Sequence, residues 1–262
     1  MPLLSGLVWA FFVISTGLSG CAASAAQTTS PQEIAVDASP AVTAAPTPVE
    51  ATEPEKDEPS VHPGINDPYF RPDGPARYTK ILEAESREIV QRRMDIVDAI
   101  GLREGMAVAD IGAGTGLLTT EIAKRVGDSG LVYAVDIVPE FLDLIRRRVE
   151  EGGLTNVSVI RGEEKAPGLP PASLDLAFMC DTYHHLEFPK AYMRSLLQAL
   201  RPGAILVLVD MKRVDGESSP AVLRHVRASE AAVIAEIEQA GFRLESETEL
   251  LRENYYLHFR RP

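Results

Sequence analysis

A chain of 262 residues with 45% hydrophobic content can bury one sizeable core, and the composition changes near Val61, so a single folded domain behind a different leader is expected. The formal net charge of -12 excludes a protein built to hold nucleic acid, because such binding rests on Lys and Arg neutralising phosphates. With only two cysteines, Cys21 and Cys180, a disulfide framework is not expected.

The first element along the chain is an apolar run from Leu3 to Leu18, which includes Val8, Trp9, Phe11, Phe12, Val13 and Ile14. It is short for a membrane span but suits the core of an export signal. It ends in Leu18-Ser19-Gly20-Cys21, which resembles the lipobox of bacterial lipoproteins, where small residues admit the peptidase and the cysteine thiol receives a diacylglycerol. Residues 1–21 are therefore expected to be a signal peptide, with lipidated Cys21 as the membrane attachment; an uncleaved anchor or an ordinary signal are the alternatives. Ala22 and Ala23, rather than an aspartate, follow the cysteine, which by the same resemblance implies the outer membrane and its periplasmic face. A signal left unused would keep the chain cytoplasmic. Residues 22–60 are rich in Ala, Pro, Thr, Ser and Glu, and seven acids there stand against the single Lys56. No run in that stretch can bury a hydrophobic face, so it is expected to be a disordered acidic tether.

The folded domain is expected over residues 61–262. Val61 to Pro75 is turn-rich but carries Tyr69 and Phe70, aromatic anchors that a pure linker lacks. Tyr78 to Ile100 has no Gly or Pro after its start and sets Ile81, Ile89, Val90, Ile96, Val97 and Ile100 among charges, which predicts one long or two short helices. Apolar strands are predicted at 107–111, 131–136, 157–161, 174–180 and 205–210, with helices around 117–126, 139–151 and 188–200. This rhythm predicts a parallel sheet with helices on both faces. A helix from Ser229 to Ala240, capped by Ser229 and closed by Gly241, precedes strands at 242–250 and 255–259, which predict an antiparallel hairpin.

The strongest local signal is Val108-Ala109-Asp110-Ile111-Gly112-Ala113-Gly114-Thr115-Gly116, a buried strand entering a glycine-rich turn before a helix. Glycines let backbone approach a ligand closely and adopt positive φ. Leu117 stands where the dinucleotide fingerprint needs its third glycine, which counts against NAD and FAD. Asp110 suits the α-ammonium of a methionine moiety and would repel a pyrophosphate. Twenty residues after Gly116, the second strand ends in Asp136, where a carboxylate can take both hydroxyls of a ribose, with Ile137 beside it. The third strand closes with Arg161-Gly162-Glu163-Glu164.

These residues resemble motifs I, II and III of class I methyltransferases, and Leu200-Arg201-Pro202-Gly203-Ala204 with the strand ending at Asp210 resembles their post-motif segment. The resemblance implies an α/β, Rossmann-like fold with a seven-stranded, mostly parallel sheet ordered 3-2-1-4-5-7-6, strand seven antiparallel, and helices on both faces. It implies S-adenosyl-L-methionine as cofactor, held by Asp110, Gly112, Ala113, Gly114, Gly116, Asp136, Ile137, Glu163 and Asp181. Relatives often have Gly-Asp-Ala where this chain has Gly162-Glu163-Glu164, so the adenine contact falls to Glu163 or to a backbone amide.

The acceptor side is expected at Asp181-Thr182-Tyr183-His184-His185-Leu186, because ligands of α/β sheets sit beyond the carboxyl ends of the strands. Asp181 and His184 are the candidate catalytic groups, either able to take a proton from the acceptor; a packing or helix-capping role is the alternative for His184 and His185. Met179, Tyr183 and Phe188 are candidate cavity walls or core, and Arg146-Arg147-Arg148 is read as a solvated helix face. The five histidines show no spacing typical of a metal set, so none is expected. The function expected is methyl transfer to a small-molecule acceptor, with Pro68-Tyr69-Phe70 and the helix before Gly101 as a lid. A tethered binding module without turnover is the alternative, motivated by an export signal on a domain whose cofactor is made in the cytoplasm.

Overall fold

Five runs of aliphatic residues become the parallel core of one sheet in the computed structural model, which describes residues 58–262. The expected signal peptide, lipidated Cys21 and the linker up to Asp57 lie outside the described residues. The strands are β1 (Ala107–Ile111), β2 (Leu131–Asp136), β3 (Val157–Arg161), β4 (Leu174–Cys180) and β5 (Leu200–Met211), followed by β6 (Arg243–Glu247) and β7 (Asn254–Arg260). Their order is β3-β2-β1-β4-β5-β7-β6, with β7 antiparallel to both neighbours, as the resemblance implies. β5 starts five residues earlier than the sequence predicts, because Leu200 pairs with Leu174 before a register shift carries the ladder on to Leu176 and Ile205.

Alternation along β5 shows how the sheet builds two cores. Leu206 and Leu208 enter the cluster that holds Met193, Leu196 and Ile237; Val207 and Val209 enter the one that holds Ile96, Ile122 and Tyr256. All four are fully buried, each contributing roughly 1.5–3 kcal/mol of transfer free energy, which is why a parallel strand reads as one apolar run rather than an alternating one.

The helices are α1 (Gly74–Leu82), α2 (Glu88–Gln91), α3 (Arg93–Ala99), α4 (Leu117–Val126), α5 (Pro139–Glu151), α6 (Pro189–Ala199), α7 (Pro220–His225) and α8 (Glu230–Gln239). Ser229 caps α8 as expected, accepting from the Ala232 N–H. The short α7, capped by the Ser219 hydroxyl, had no counterpart among the predicted elements. The stretch predicted as one or two helices is three short ones, because tertiary anchors bend it. The Glu88 carboxylate accepts the N–H groups of Arg252 and Glu253, both at 2.9 Å, and the Tyr256 hydroxyl donates to the Ile96 carbonyl at 3.2 Å. Arg148 is not part of a solvated face, since it pairs with Glu83 at 2.5 Å and ties α5 to the end of α1; Arg146 does face solvent, paired with Asp143.

The domain also begins before Val61. Glu58 accepts the N–H groups of Lys190 and Ala191 in the first turn of α6, and the Ser60 hydroxyl donates to Glu187 at 2.7 Å. The linker predicted to reach residue 60 therefore gives way to the domain by Glu58 within the described residues. Among these residues no helix is long and apolar enough to cross a membrane.

Candidate functional site

Beyond the carboxyl ends of β1, β2 and β4 lies a cleft of about 1170 Å³, counting the part open to solvent. Its floor is the glycine turn. Gly112 has φ +68°, and a Cβ there would run into the Thr182 side chain, so the turn can close against the β4 loop only with glycine. Gly116, at φ +79°, is the N-cap of α4 and lies against Ile145 of α5.

Asp136 at the end of β2 is 8% exposed. One of its oxygens accepts the Gly114 N–H at 2.8 Å and the other the Val138 N–H at 2.9 Å. Each oxygen keeps lone-pair capacity, so the carboxylate is oriented without being saturated. Asp110 is buried on the neighbouring strand β1, opposite Ala134, and accepts the Thr119 hydroxyl at 2.6 Å. Burial pushes both carboxyls up to about 6; the Thr119 hydrogen bond and the backbone N–H groups at Asp136 oppose that without cancelling it. Gly112, Ala113, Gly114, Ile137, Glu163 and Asp181 line the same cleft, so the structure brings together all the residues expected to hold the cofactor except Gly116, which acts from behind through its cap. Glu163 is exposed, its backbone N–H bound to the Ala166 carbonyl at 2.9 Å, and its side chain is free to meet a ligand edge.

The acceptor end differs from the sequence expectation in two ways. Asp181 lies at the cleft, but its backbone is held at φ +49° and both oxygens are engaged: Arg87 donates to one at 2.5 Å and the Asn254 amide to the other at 2.5 Å. Burial and then the neighbouring Asp210 raise its pKa, and Arg87 opposes them. It is a clamped carboxyl, unlike the free proton acceptor the sequence suggests. His184 does not line the cleft; His185 does. His184 turns instead to Asp210, which accepts from its Nδ1 at 2.5 Å and from its backbone N–H at 3.0 Å. Burial presses the His184 pKa down, but Asp210 and Asp181 outweigh it and hold it above the ordinary histidine value. For His185, burial and then the charge of His184 keep it well below that value.

Of the candidate cavity walls, Met179 is core, Tyr183 is core with its hydroxyl donating to Glu236 at 2.9 Å, and Phe188 lies under the Lys165 ammonium at 4.4 Å. The apolar walls include Leu82, Phe141, Leu186 and Tyr192. Tyr69 covers the cleft from the N-terminal segment, tilted against Tyr78 at 4.2 Å and edge-on to Phe141 at 6.0 Å, whereas Phe70 is 52% exposed and touches none of it. Arg87, Leu82 and Tyr192 were missed by sequence reasoning; the Gly- and Pro-free stretch around Arg87 was the available signal for the first two.

A family model described as a methyltransferase domain matches residues 108–203, the span from β1 to the start of β5. The chain is 30% identical to a SAM-dependent methyltransferase from Aquifex aeolicus, whose crystal structure superposes with a TM-score of 0.65 over 72% of this chain and 98% of that one. It is 33% identical over 111 residues to a protein-L-isoaspartate O-methyltransferase of Methanothrix thermoacetophila, 42% of this chain and 50% of the relative. It is 29% identical over 118 residues to a ubiquinone/menaquinone biosynthesis C-methyltransferase of Shewanella woodyi, 45% of this chain and 47% of the relative. The chain thus spans about half the length of the curated relatives it matches.

Proposed function

We propose that this chain, which belongs to the S-adenosylmethionine-dependent methyltransferase family, moves the sulfonium methyl group of that cofactor onto a small-molecule acceptor at the Asp181–His185 end of the cleft. One observation carries the reading: a buried, oriented but unsaturated Asp136 carboxylate stands beside a glycine turn in a cleft that runs on to Asp110 and Asp181. Asp136 would take the ribose hydroxyls, Asp110 the α-ammonium end and Glu163 the adenine edge. When bound, the cofactor supplies an already activated carbon, so the chain's work is to position it in line with the acceptor and exclude water. Asp181 is the positioning group, held by Arg87 and Asn254. His185, its Nδ1 engaged by Asn66, lines this end of the cleft and helps to shape the acceptor pocket. The cover of Tyr69, Leu82 and Arg87 supports a small acceptor over a folded macromolecule.

The test is calorimetric titration of the chain with S-adenosylmethionine and S-adenosylhomocysteine. Asp136→Asn keeps the size of the side chain but loses the charge on two hydrogen bonds, and the expected loss is about 1.5–3 kcal/mol, roughly tenfold to a hundredfold in Kd. Wild-type affinity in that variant would refute the ribose assignment. Tight binding with no methyl transfer to any of a broad panel of small acceptors would favour a binding module over an enzyme.

We also propose that the chain is carried to the cell envelope and anchored through lipid on Cys21, with the outer membrane favoured. The support is the Leu18-Ser19-Gly20-Cys21 sequence after an apolar run. Labelled palmitate should enter the full chain in a Gram-negative host and be absent from Cys21→Ser. Equal labelling of the two, or none in either, would reject the anchor.

A further inference from the structure

We propose that His184, His185 and His225 form a binding site for a divalent transition-metal ion of the zinc class. Each offers one ring nitrogen, and these atoms lie within 4.8 Å of one another. The ring centroids are 4.4 Å apart for His184 and His185, and 4.9 Å from each of them to His225. Zinc–nitrogen bonds of about 2.0–2.1 Å place tetrahedral ligands roughly 3.4 Å apart, so small rotations of the rings close the set. Three imidazoles and no carboxylate in the set select for zinc, nickel, cobalt or copper over calcium and magnesium, which take oxygen.

Two of the three rings are already oriented as ligands. The Asp210 carboxylate can only accept, so its contact with His184 places a proton on Nδ1, and the neutral ring that would bind an ion then carries its lone pair on Nε2. That Nε2 is buried and has no hydrogen-bond partner, in a side chain 4% exposed. A buried nitrogen left unpaired is costly, and an ion aimed at by that nitrogen removes the cost. Asn66 treats His185 in the same way. Its amide nitrogen donates to the His185 carbonyl at 3.0 Å, so its oxygen faces Nδ1 at 3.2 Å and takes that proton. His185 Nε2 is left with a long 3.4 Å contact to the Tyr69 hydroxyl. Acceptors on the far nitrogen are what fix tautomer and ring orientation in metal-ligating histidines.

Because His185 also lines the cofactor cleft, the ion would stand in the wall shared with it. The assignment itself does not depend on methyl transfer, and neither does its test. Untagged full chain, stripped with chelator, is titrated with Zn²⁺ by calorimetry and with Co²⁺ by visible absorption. The expected result is one Zn²⁺ per chain with micromolar or tighter Kd, at least tenfold weaker in His225→Ala, about 10- to 100-fold weaker in Asp210→Asn, and unchanged in His258→Ala. No binding, or equal affinity in His225→Ala, overturns the site, as does an intense thiolate-to-cobalt band, which would place the ion on Cys21 or Cys180. His225 is partly exposed at the end of a six-residue helix, so its loss leaves the cores untouched. Should that variant still misfold, the rise in Tm that Zn²⁺ gives the wild type decides the matter, since Asp210→Asn should lack it and an equal rise in both would overturn the site.

Discussion

Two buried carboxyls set the pH behaviour of the cleft. Asp110 and Asp136 are each raised by burial from the ordinary aspartate value to about 6. A pKa raised on folding means the stabilising contribution is complete below about pH 4 and is lost as pH climbs through 6, so at neutral pH one such group costs roughly 3 kcal/mol of stability. Ligand binding has the opposite sign, since in the proposed roles the ribose hydroxyls and the ammonium call on the ionised forms. The Kd for S-adenosylmethionine, measured by calorimetry from pH 5 to 8, should be nearly flat above pH 7 and weaken by up to about 30-fold from pH 6 to pH 5, roughly fivefold from each carboxyl. An affinity that improves on acidification would contradict these roles. Asp110→Asn should flatten part of that dependence. Asp110, Asp136 and the glycines were legible in the sequence because each sits within a few residues of a strand end, where local order equals spatial order. His185 was not distinguishable from His184 there: in a 3-10 turn a one-residue offset decides which ring meets the cleft and which meets Asp210. The histidine grouping was invisible because His225 arrives from forty residues downstream on a helix with no periodic signal.

At the scale of elements, the strands and the helices between them were legible within one or two residues except at the start of β5, the end of β6 and the unpredicted α7, and the N-terminal segment was not. A strand buried on both faces announces itself by composition, but α1, α2 and α3 are shaped by groups far away in sequence. Glu88 is the main case, 7% exposed and bound to the backbone at Arg252 and Glu253. Burial pushes its carboxyl up, but those two N–H groups, with Arg252, pull harder and leave it below the usual glutamate value. A lowered pKa contributes stability that is complete above the unfolded value and is lost as pH falls through the folded one. Glu88→Ala should therefore destabilise the domain by about 1–3 kcal/mol at pH 7 in urea unfolding, with the difference from wild type shrinking below pH 4. A variant as stable as wild type at pH 7 would show that the N-terminal segment is held by its apolar contacts alone. Arg87→Ala tests the neighbouring tie. It frees one oxygen of Asp181, and it should weaken cofactor or acceptor affinity more than it lowers Tm, because Arg87 also lines the cleft.

At the scale of the whole domain, the sheet and its two cores form one half, and the segment from Glu58 to Gln91 is a cover with few buried side chains, anchored at Glu187 and the start of α6, at His185 through Asn66, at Asp181 and Arg148, and at its far end by Glu88 and Ile89. Elements held by few buried contacts open at lower free energy than the core does. A ligand that touches both halves adds up to about 2.7 kcal/mol of stability at a hundred times its Kd, and it adds that to any opening that releases the ligand. Amide hydrogen exchange should therefore report whether the cover closes on the ligand. With saturating S-adenosylhomocysteine, amides around Tyr69, Leu82 and Arg87 should slow by up to about a hundredfold, together with those of the Gly112–Gly116 turn. Amides of β5 and β7, where they exchange through global unfolding, should slow by the same factor, so the diagnostic contrast is with locally opening amides away from the cleft, such as those of β6, which should not change. Protection confined to the glycine turn would mean that the cover does not close on the ligand, and Tyr69 and Leu82 would then count as packing for the free protein rather than as part of the site.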